Sequence, residues 1–202
     1  MSSIAELQKQ VREGKDLRIT GQADNTDKEF INISSYSGVV EYFPEELVIT
    51  LKAGTTIQEI TNILAAYGQA LPFFTGSLEK TIGAIYATSG PEFSDSVLGV
   101  QIINGKGELL NFGGQVMKNV AGYDVSKLLV GSMGRLALVT QISLKILPQR
   151  IAKQFQLKPP LKHKVSEISL NFESKLKKVF DPYGIFIRSE EHTSELQSRT
   201  NL

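Results

Sequence analysis

A two-residue period of mostly large aliphatic side chains runs through residues 136–146 and limits what this chain can fold into. One set of alternate positions comprises Leu136, Leu138, Thr140, Ile142, Leu144 and Ile146. The other set comprises Ala137, Val139, Gln141, Ser143 and Lys145. Because successive side chains of a strand point to opposite faces, the pattern predicts a long strand with one buried face. Pro148 is expected to end its ladder.

A glycine-containing loop precedes that strand. Gly131 and Gly134 bracket Ser132 and Met133, so the backbone can adopt positive φ and approach a ligand without an intervening Cβ. A phosphate or ribose fits such a loop. A tight turn between a helix and a strand explains the same spacing, and the spacing alone leaves both interpretations open.

Composition narrows the class of protein. The chain has 202 residues with 41% hydrophobic residues, enough for one ordinary domain or two small ones. Lys and Arg total 22 against 21 Asp and Glu, a net charge of +1, which argues against a nucleic-acid partner. No apolar run approaches the ~18 residues of a membrane span, and the N-terminus does not resemble a secretory signal. We therefore expect a cytoplasmic location and no direct membrane insertion.

Cysteine is absent, which excludes disulfides, thiolate metal sites and iron–sulfur clusters held by this chain. The two histidines, His163 and His192, make an imidazole metal site improbable, so no metal site is expected.

Local patterns predict alternating helices and strands. Ser3 with Glu6 indicates a capping box that opens a helix ending at Gly14, and Thr55 with Gln58 indicates a second helix that ends at Gly68. Strands are expected at 17–20, 30–34, 39–43 and 47–52, and a short helix at 81–88. Residues 97–104 and 108–112, joined by a Gly-Lys-Gly turn, predict a β-hairpin.

A family resemblance rests on the run VMKNVAGYD at 116–124, followed by SKLLVGS at 126–132 and Gly134. This run resembles the FAD-binding E subunits of bacterial glycolate oxidases, within the FAD-linked oxidases of the vanillyl-alcohol oxidase type. Residues 38–55, Thr81-Ile82-Gly83-Ala84 and residues 97–103 resemble further parts of the same family, so that the match covers roughly residues 38–149.

The resemblance implies an α+β fold: a PCMH-type FAD-binding domain of two α/β subdomains with FAD between them and the substrate cap domain largely absent. It implies FAD held non-covalently, since the residues that carry a covalent flavin in some members are lacking. The cofactor-binding residues that it implies are Gly21, Asn25, Pro72, Thr81, Ile82, Gly83, Ala84, Thr88, Gly90, Gly131, Gly134 and Leu138. No catalytic residue is indicated.

Several positions depart from the family pattern. The family's pyrophosphate loop is represented here by Gly21 alone, and Asp24 and Asp27 would oppose a diphosphate. Residues 89–96 lack the family's arginine-bearing loop and are expected to form a shortened surface connection. Asp124 is expected to cap the helix that follows it rather than contact flavin.

The resemblance divides the chain into three parts. Residues 1–150 are expected to form the FAD-binding domain and residues 151–187 a short C-terminal remnant. Residues 188–202 look like the translation of a sequencing-library adapter, so this stretch is treated as a non-native tail.

The function that the resemblance implies is flavin-mediated electron transfer during 2-hydroxy acid oxidation. The expected partners are a catalytic FAD subunit and an iron–sulfur subunit of a glycolate oxidase-type complex, with the complex attached peripherally to the inner membrane. Two alternatives stay open: a flavin-free scaffold subunit of the same complex, and another FAD-linked oxidoreductase of the same fold.

Overall fold

The computed structural model describes residues 3–21, 29–73, 75–114, 124–156 and 167–187. The helices are α1 (Ile4–Glu13), α2 (Ile57–Ala65), α3 (Ile82–Thr88), α4 (Pro91–Ser94), α5 (Val125–Leu128), α6 (Gln149–Gln156) and α7 (Glu167–Phe180). The strands are β1 (Arg18–Thr20), β2 (Phe30–Asn32), β3 (Val39–Phe43), β4 (Val48–Lys52), β5 (Gln69–Ala70), β6 (Val97–Ile103), β7 (Leu109–Gly113), β8 (Leu138–Lys145) and β9 (Leu147–Pro148). Helices and sheets are both present, which confirms the α+β class.

A five-stranded antiparallel sheet with the order β3-β4-β8-β6-β7 forms the centre of the molecule. β8 is the middle strand, and its Ile142 pairs with Leu51 of β4 and Val100 of β6. The predicted alternation is confirmed, because the first set of side chains is at most 2% exposed throughout while the second set is mostly half-buried. The predicted hairpin is also confirmed as β6 and β7.

Helices α2 and α3 cover one face of this sheet. Ile57, Ile60 and Leu64 of α2 are at most 1% exposed and pack with Ile82 and Tyr86 of α3 in the larger of two hydrophobic clusters. Each fully buried aliphatic side chain of this kind stabilises the fold by about 1.5–3 kcal/mol relative to an exposed one. The sheet and these two helices therefore hold the larger core.

A second, smaller sheet pairs β1 and β2 in parallel, with Ile19 opposite Ile31. Leu7 and Val11 of α1 are fully buried against it in the second hydrophobic cluster. Ser3 caps α1 by accepting a hydrogen bond from the Glu6 N–H, as predicted. The two sheets lie on opposite sides of a cleft, described below.

The cap of α2 differs from the prediction by one residue. Thr56, not Thr55, accepts a hydrogen bond from the Glu59 N–H, and the Glu59 carboxylate accepts one from the Thr56 N–H at 2.8 Å. The Thr55 hydroxyl instead donates to the Lys52 carbonyl at 2.7 Å and accepts from the Gly38 N–H. A tertiary contact with Gly38 thus removes Thr55 from the capping position.

Residues 89–96 are not a plain surface connection, so that prediction was wrong. They contain α4, whose Phe93 is 3% exposed. The Phe93 ring packs edge-on against Phe73, at 4.8 Å between centroids, and against Tyr86 at 6.0 Å. Apolar burial with partners distant in the sequence therefore anchors this stretch to the larger core.

Pro148 does not end the ladder of β8, although the sequence predicted that it would. β8 ends at Lys145, and the chain then continues into β9, where Pro148 pairs with Gln69 of β5. A proline is tolerated in this two-stranded ladder because its missing N–H faces no further strand of that sheet.

The C-terminal described residues pack onto both sheets. Phe180 of α7 meets Phe112 of β7 edge-on, and the Leu17 N–H donates to the Ile185 carbonyl at 2.7 Å, next to a bridge between Leu17 and Phe186. The division of the chain at residue 150 stays a prediction. Within the described residues, no helix combines the length and apolar character that a membrane crossing requires.

Candidate cofactor-binding cleft

A cleft lies between the two sheets, bounded by β1, α3 and the loop that enters β8. It holds about 550 Å³ of space not filled by protein atoms, part of it open to solvent at the mouth. Its lining comprises Ile19, Gly21, Ile33, Ala53, Gly83, Ala84, Ala87, Ser132, Met133, Gly134, Ala137 and Val139.

Small side chains dominate this lining. Glycine or alanine occupies seven of its positions, and Ser132 carries its one polar side chain among the described residues. α3 contributes Gly83, Ala84 and Ala87, which lie on one face of the helix because of their spacing. On the α3 side of the cleft, backbone and Cβ atoms therefore form the contact surface, which suits a flat or extended ligand.

The N-terminal amides of α3 are already engaged by the protein. The Ile82 N–H donates to the Thr55 carbonyl and the Gly83 N–H to the Ala53 carbonyl, both at 2.8 Å, while the Ala84 N–H donates to the Thr81 hydroxyl at 3.2 Å. In the described structure these three amides are therefore not available to an anionic ligand.

The loop of residues 131–137, hereafter the cleft loop, is fastened to the other end of α3. The Gly131 N–H donates to the Tyr86 carbonyl and the Met133 N–H to the Ala87 carbonyl, both at 2.9 Å. The predicted positive φ is present at Gly131 and Gly134, at 76° and 71°, and Met133 also adopts 54°. These two hydrogen bonds satisfy carbonyls at the end of α3 that have no partner within the helix.

Main-chain donors without a hydrogen-bond partner among the described residues lie on both sides of the cleft. Examples are the N–H groups of Gly21, just after β1, and of Gly134, in the cleft loop. They belong to opposite sides of the cleft. A ligand with acceptor atoms facing either side has a backbone donor available there.

Close packing explains why glycine occupies two of the predicted positions. A Cβ on Gly83 would lie 2.9 Å from the Ala53 carbonyl oxygen, and one on Gly21 would lie 2.6 Å from the Thr81 hydroxyl oxygen. Both distances are shorter than a normal van der Waals contact. Here glycine permits the elements around the cleft to approach one another.

The structure brings four of the predicted cofactor-binding residues into the lining: Gly21, Gly83, Ala84 and Gly134. Thr81 caps α3 beside Gly21, and Gly131 begins the cleft loop. The other predicted positions that the structure describes lie outside the lining. Ile82, Leu138 and Pro72 are buried. The Thr88 hydroxyl donates to the Ala84 carbonyl, and the Gly90 carbonyl accepts a hydrogen bond from the Phe93 N–H. Asn25 and residues 115–123 of the signature run lie outside the described residues.

Sequence reasoning missed several lining residues. Each of these residues comes from a different element or its end, and only the folded chain brings them together: Ile19, Ile33, Ala53, Ala87 and Val139. One signal was present, because Ala87 lies four residues after Gly83 on a predicted helix and hence on the same face.

A buried tyrosine supports α3 from the side of the larger core. The Tyr86 hydroxyl donates to the Ser126 carbonyl, and the Ser126 hydroxyl donates to the Asp124 carboxylate. Burial raises the pKa of the Tyr86 phenol far above its ordinary value, and the negative charge of Asp124 adds to the shift.

Asp124 occupies the N-cap position of α5, but its carboxylate makes no capping hydrogen bond to a main-chain amide. The prediction of a side-chain cap was therefore wrong. The carboxylate instead accepts the Ser126 hydroxyl, and Lys127 lies 3.6 Å away. Its role in the described structure is to fix the start of α5.

The cleft suits the rings of a dinucleotide better than its phosphates. Its mainly apolar, small-residue lining suits a planar ring, and the Gly21 and Gly134 amides offer hydrogen bonds to ring or ribose acceptors. No lysine or arginine belongs to the lining formed by the described residues. Groups of three or more His, Cys, Asp or Glu side chains that could hold a metal ion are absent from the part of the chain that the structure describes.

Comparison with known proteins places these features in a family. A family model described as FAD binding domain matches residues 9–113, a little more than half of the chain. The glycolate oxidase subunit GlcE of Escherichia coli strain K12 is 40% identical over 162 residues, which are 75% of this chain and 44% of that protein.

More distant relatives share the same region. A D-lactate dehydrogenase of Archaeoglobus fulgidus is 26% identical over 65% of this chain and 31% of that protein. The glycolate oxidase subunit GlcD of Bacillus subtilis is 26% identical over 57% of this chain and 27% of that protein. The chain thus spans less than half the length of these relatives. It belongs to the FAD binding domain family, and its cofactor is FAD.

Proposed function

We propose that this chain is the FAD-binding subunit of a glycolate oxidase-type complex and takes part in electron transfer during 2-hydroxy acid oxidation. The relatives' names support the substrate class, because glycolate, D-lactate and D-2-hydroxyglutarate are all 2-hydroxy acids. The observation that carries the proposal is the small-residue cleft between the two sheets, with unengaged amides on both sides, among them those of Gly21 and Gly134.

The chain's own residues would bind and orient the cofactor. Ala84 and Ala87 of α3 present a flat surface, and the cleft loop encloses the opposite side through Ser132 and Gly134. FAD, when bound, supplies the capacity to accept two electrons and release them singly. The chain has no cysteine and only two histidines, His163 and His192, the second in the adapter-like tail, so we propose a non-covalently held flavin.

The proposed partners follow from what the chain lacks. Iron–sulfur clusters are held by cysteine thiolates, and this chain contains none. Electrons that leave its flavin through such a cluster therefore require a second chain, which we take to be an iron–sulfur subunit. A catalytic FAD subunit would oxidise the 2-hydroxy acid, and the complex would attach to the cytoplasmic face of the inner membrane.

The visible absorption spectrum of the purified protein, before and after addition of FAD, tests the cofactor role. We expect the flavin bands to stay with the protein through gel filtration, with a shape that differs from free FAD because the ring enters an apolar cleft. A colourless protein that retains no added FAD would eliminate the electron-transfer role.

A flavin-free scaffold subunit is the second candidate. It is favoured by the engaged amides of α3 and by the absence of a cationic side chain from the lining formed by the described residues. Co-purification separates it from the first candidate. A scaffold would recover glycolate oxidase-type partner subunits while retaining no FAD, whereas recovery of the chain alone would contradict both candidates.

A further inference from the structure

One lysine of helix α7 donates a hydrogen bond to the cleft loop. The Lys177 ammonium donates to the Arg135 carbonyl at 2.6 Å, and Arg135 is part of the cleft loop. The same ammonium donates to the Phe186 carbonyl and to the Asp181 carboxylate, both at 2.5 Å. One cation therefore joins the cleft loop to the turn that follows α7 at residues 181–186.

The partners of Lys177 connect it to the other side of the cleft. Asp181 has a fully buried side chain, and it also accepts the N–H groups of Ile185 and Phe186 at 2.8 Å. Residues 185 and 187 in turn exchange main-chain hydrogen bonds with Leu17, directly before β1, at 2.7 and 2.9 Å. β1 carries Ile19 of the cleft lining.

A second contact fastens the same loop to the same helix. The Arg135 guanidinium lies 2.6 Å from the Glu173 carboxylate, one turn of α7 before Lys177, and both side chains are partly shielded from solvent. Shielded, charge-assisted contacts of this kind are stronger than contacts between fully exposed charges. α7 thus holds Arg135 by its main chain and by its side chain.

We propose that Lys177 is a positioning residue for the cofactor: through Arg135 and Asp181 it fixes the distance between the cleft loop and β1, so that α7 sets the shape of the FAD-binding cleft. Lys177 itself does not line the cleft. This inference rests on the proposed binding of FAD in that cleft, and it names residues after position 113, beyond the part of the chain that the family model matches.

Two measurements on Lys177→Met test the proposal, with Lys178→Met, an exposed neighbour on the same helix, as the matched control. The first is hydrogen exchange of the Ser132, Met133 and Arg135 amides, which are all hydrogen-bonded in the cleft loop. We expect exchange at least about tenfold faster in Lys177→Met and unchanged in Lys178→Met, because loss of the ammonium frees the loop. Equal exchange in Lys177→Met and the wild type overturns the proposal.

The second measurement is the FAD dissociation constant from flavin fluorescence. We expect a rise of about tenfold in Lys177→Met and none in Lys178→Met, an effect equal to about 1.4 kcal/mol. Faster exchange without weaker FAD binding contradicts the link to the cofactor. If the wild-type protein retains no FAD, the proposed function fails, and the exchange result still decides whether Lys177 holds the loop.

A milder variant tests the same role in case Lys177→Met does not fold. Glu173→Gln removes only the charge that pairs with Arg135 and leaves every contact of Lys177 in place. We expect about threefold faster exchange of the cleft-loop amides and about threefold weaker FAD binding. Wild-type values for both quantities would contradict the role of α7 in holding the loop.

Discussion

Single small residues set the dimensions of the cleft. Gly83 of α3 lies so close to the end of β4 that no side chain fits between them. Ala84 and Ala87 of the same helix border the cleft, and their short side chains leave space between the helix and the cleft loop. A larger side chain has different effects at these positions, because one lies against protein backbone and the others border the cleft. Substitutions can therefore separate packing from ligand binding.

Ala87→Leu should weaken FAD binding without unfolding the protein. The added carbons enter the cleft, so we expect the FAD dissociation constant to rise by about tenfold or more, equivalent to about 1.4 kcal/mol. Leucine is a strong helix former, so the free energy of unfolding should change by less than about 1 kcal/mol. Flavin fluorescence titration measures the effect, with the exposed Ala65→Leu of α2 as control. Equal affinities in the two variants would show that the ligand does not use this surface.

Gly83→Ala should destabilise the fold. The new Cβ would lie 2.9 Å from a main-chain oxygen of Ala53 and 3.0 Å from its Cβ, so α3 must move away from β4. We expect a loss of about 1–3 kcal/mol in the free energy of unfolding, measured by urea denaturation. Gly114→Ala is the matched control, because nothing lies within 4 Å of a Cβ at that position. Equal stabilities of the two variants would disprove the close approach.

Tyr86 should make stability depend on alkaline pH. Its folded-state pKa is raised above the ordinary 10.0, so the unfolded chain loses this proton first and stability falls as pH rises above that value. Between about pH 10 and about pH 11 this single group should remove about 1 kcal/mol. Tyr86→Phe should lack that part of the decline, whereas Tyr183→Phe, at a residue 72% exposed, should keep it. Parallel pH profiles for wild type and Tyr86→Phe would contradict the assignment.

Helix α3 is the element on which the candidate site depends. Its first amides bind the end of β4, its last carbonyls bind the cleft loop, Tyr86 secures α5, and its small residues line the cleft. Thr81, Gly83 and Ala84 could be proposed from the sequence because they resemble a family turn. The acceptors of the α3 amides could not, because the carbonyls of Ala53 and Thr55 reach the helix only through the folding of β4.

The cap of α2 shows where local patterns become ambiguous. Adjacent threonines, Thr55 and Thr56, are each followed three residues later by a residue suited to a capping box, Gln58 and Glu59. The contact of Thr55 with Gly38 decides between them, and it joins residues 17 positions apart. By contrast, the buried face of β8 was identified correctly from the sequence. Burial of one face of a strand produces a two-residue period of apolar side chains, which can be recognised without knowing the fold.

Thr56→Ala tests the observed cap. It removes the acceptor of the Glu59 N–H, so we expect a loss of about 1 kcal/mol in the free energy of unfolding. Gln58→Ala, on the exposed surface of the same helix, should change stability by less than about 0.5 kcal/mol, because it loses only an exposed contact with Asn62. Chemical denaturation of both variants measures the difference. A larger effect for Gln58→Ala than for Thr56→Ala would restore the capping box first expected.

At the scale of the whole molecule, the cofactor cleft lies between the five-stranded sheet and the β1–β2 sheet. The second hydrophobic cluster joins them, because Ile103 of β6 and Leu138 of β8 pack there with α1 and β2. α3, the cleft loop and α7 also connect the two sides. The family and the fold class could be read from residue runs, but the composition of the cleft could not, because Ile19, Ala53 and Val139 meet only in the folded chain. Phe93 was missed for the same reason, since its partners Phe73 and Tyr86 belong to other elements.

A crystal structure of the protein with FAD tests the central claim most directly. We predict flavin or adenine ring density against Ala84 and Ala87 on one side and the cleft loop on the other, with an acceptor atom of the cofactor near the Gly134 or Gly21 amide. FAD bound elsewhere on the protein, or side chains filling this cleft in the presence of saturating FAD, would contradict the account.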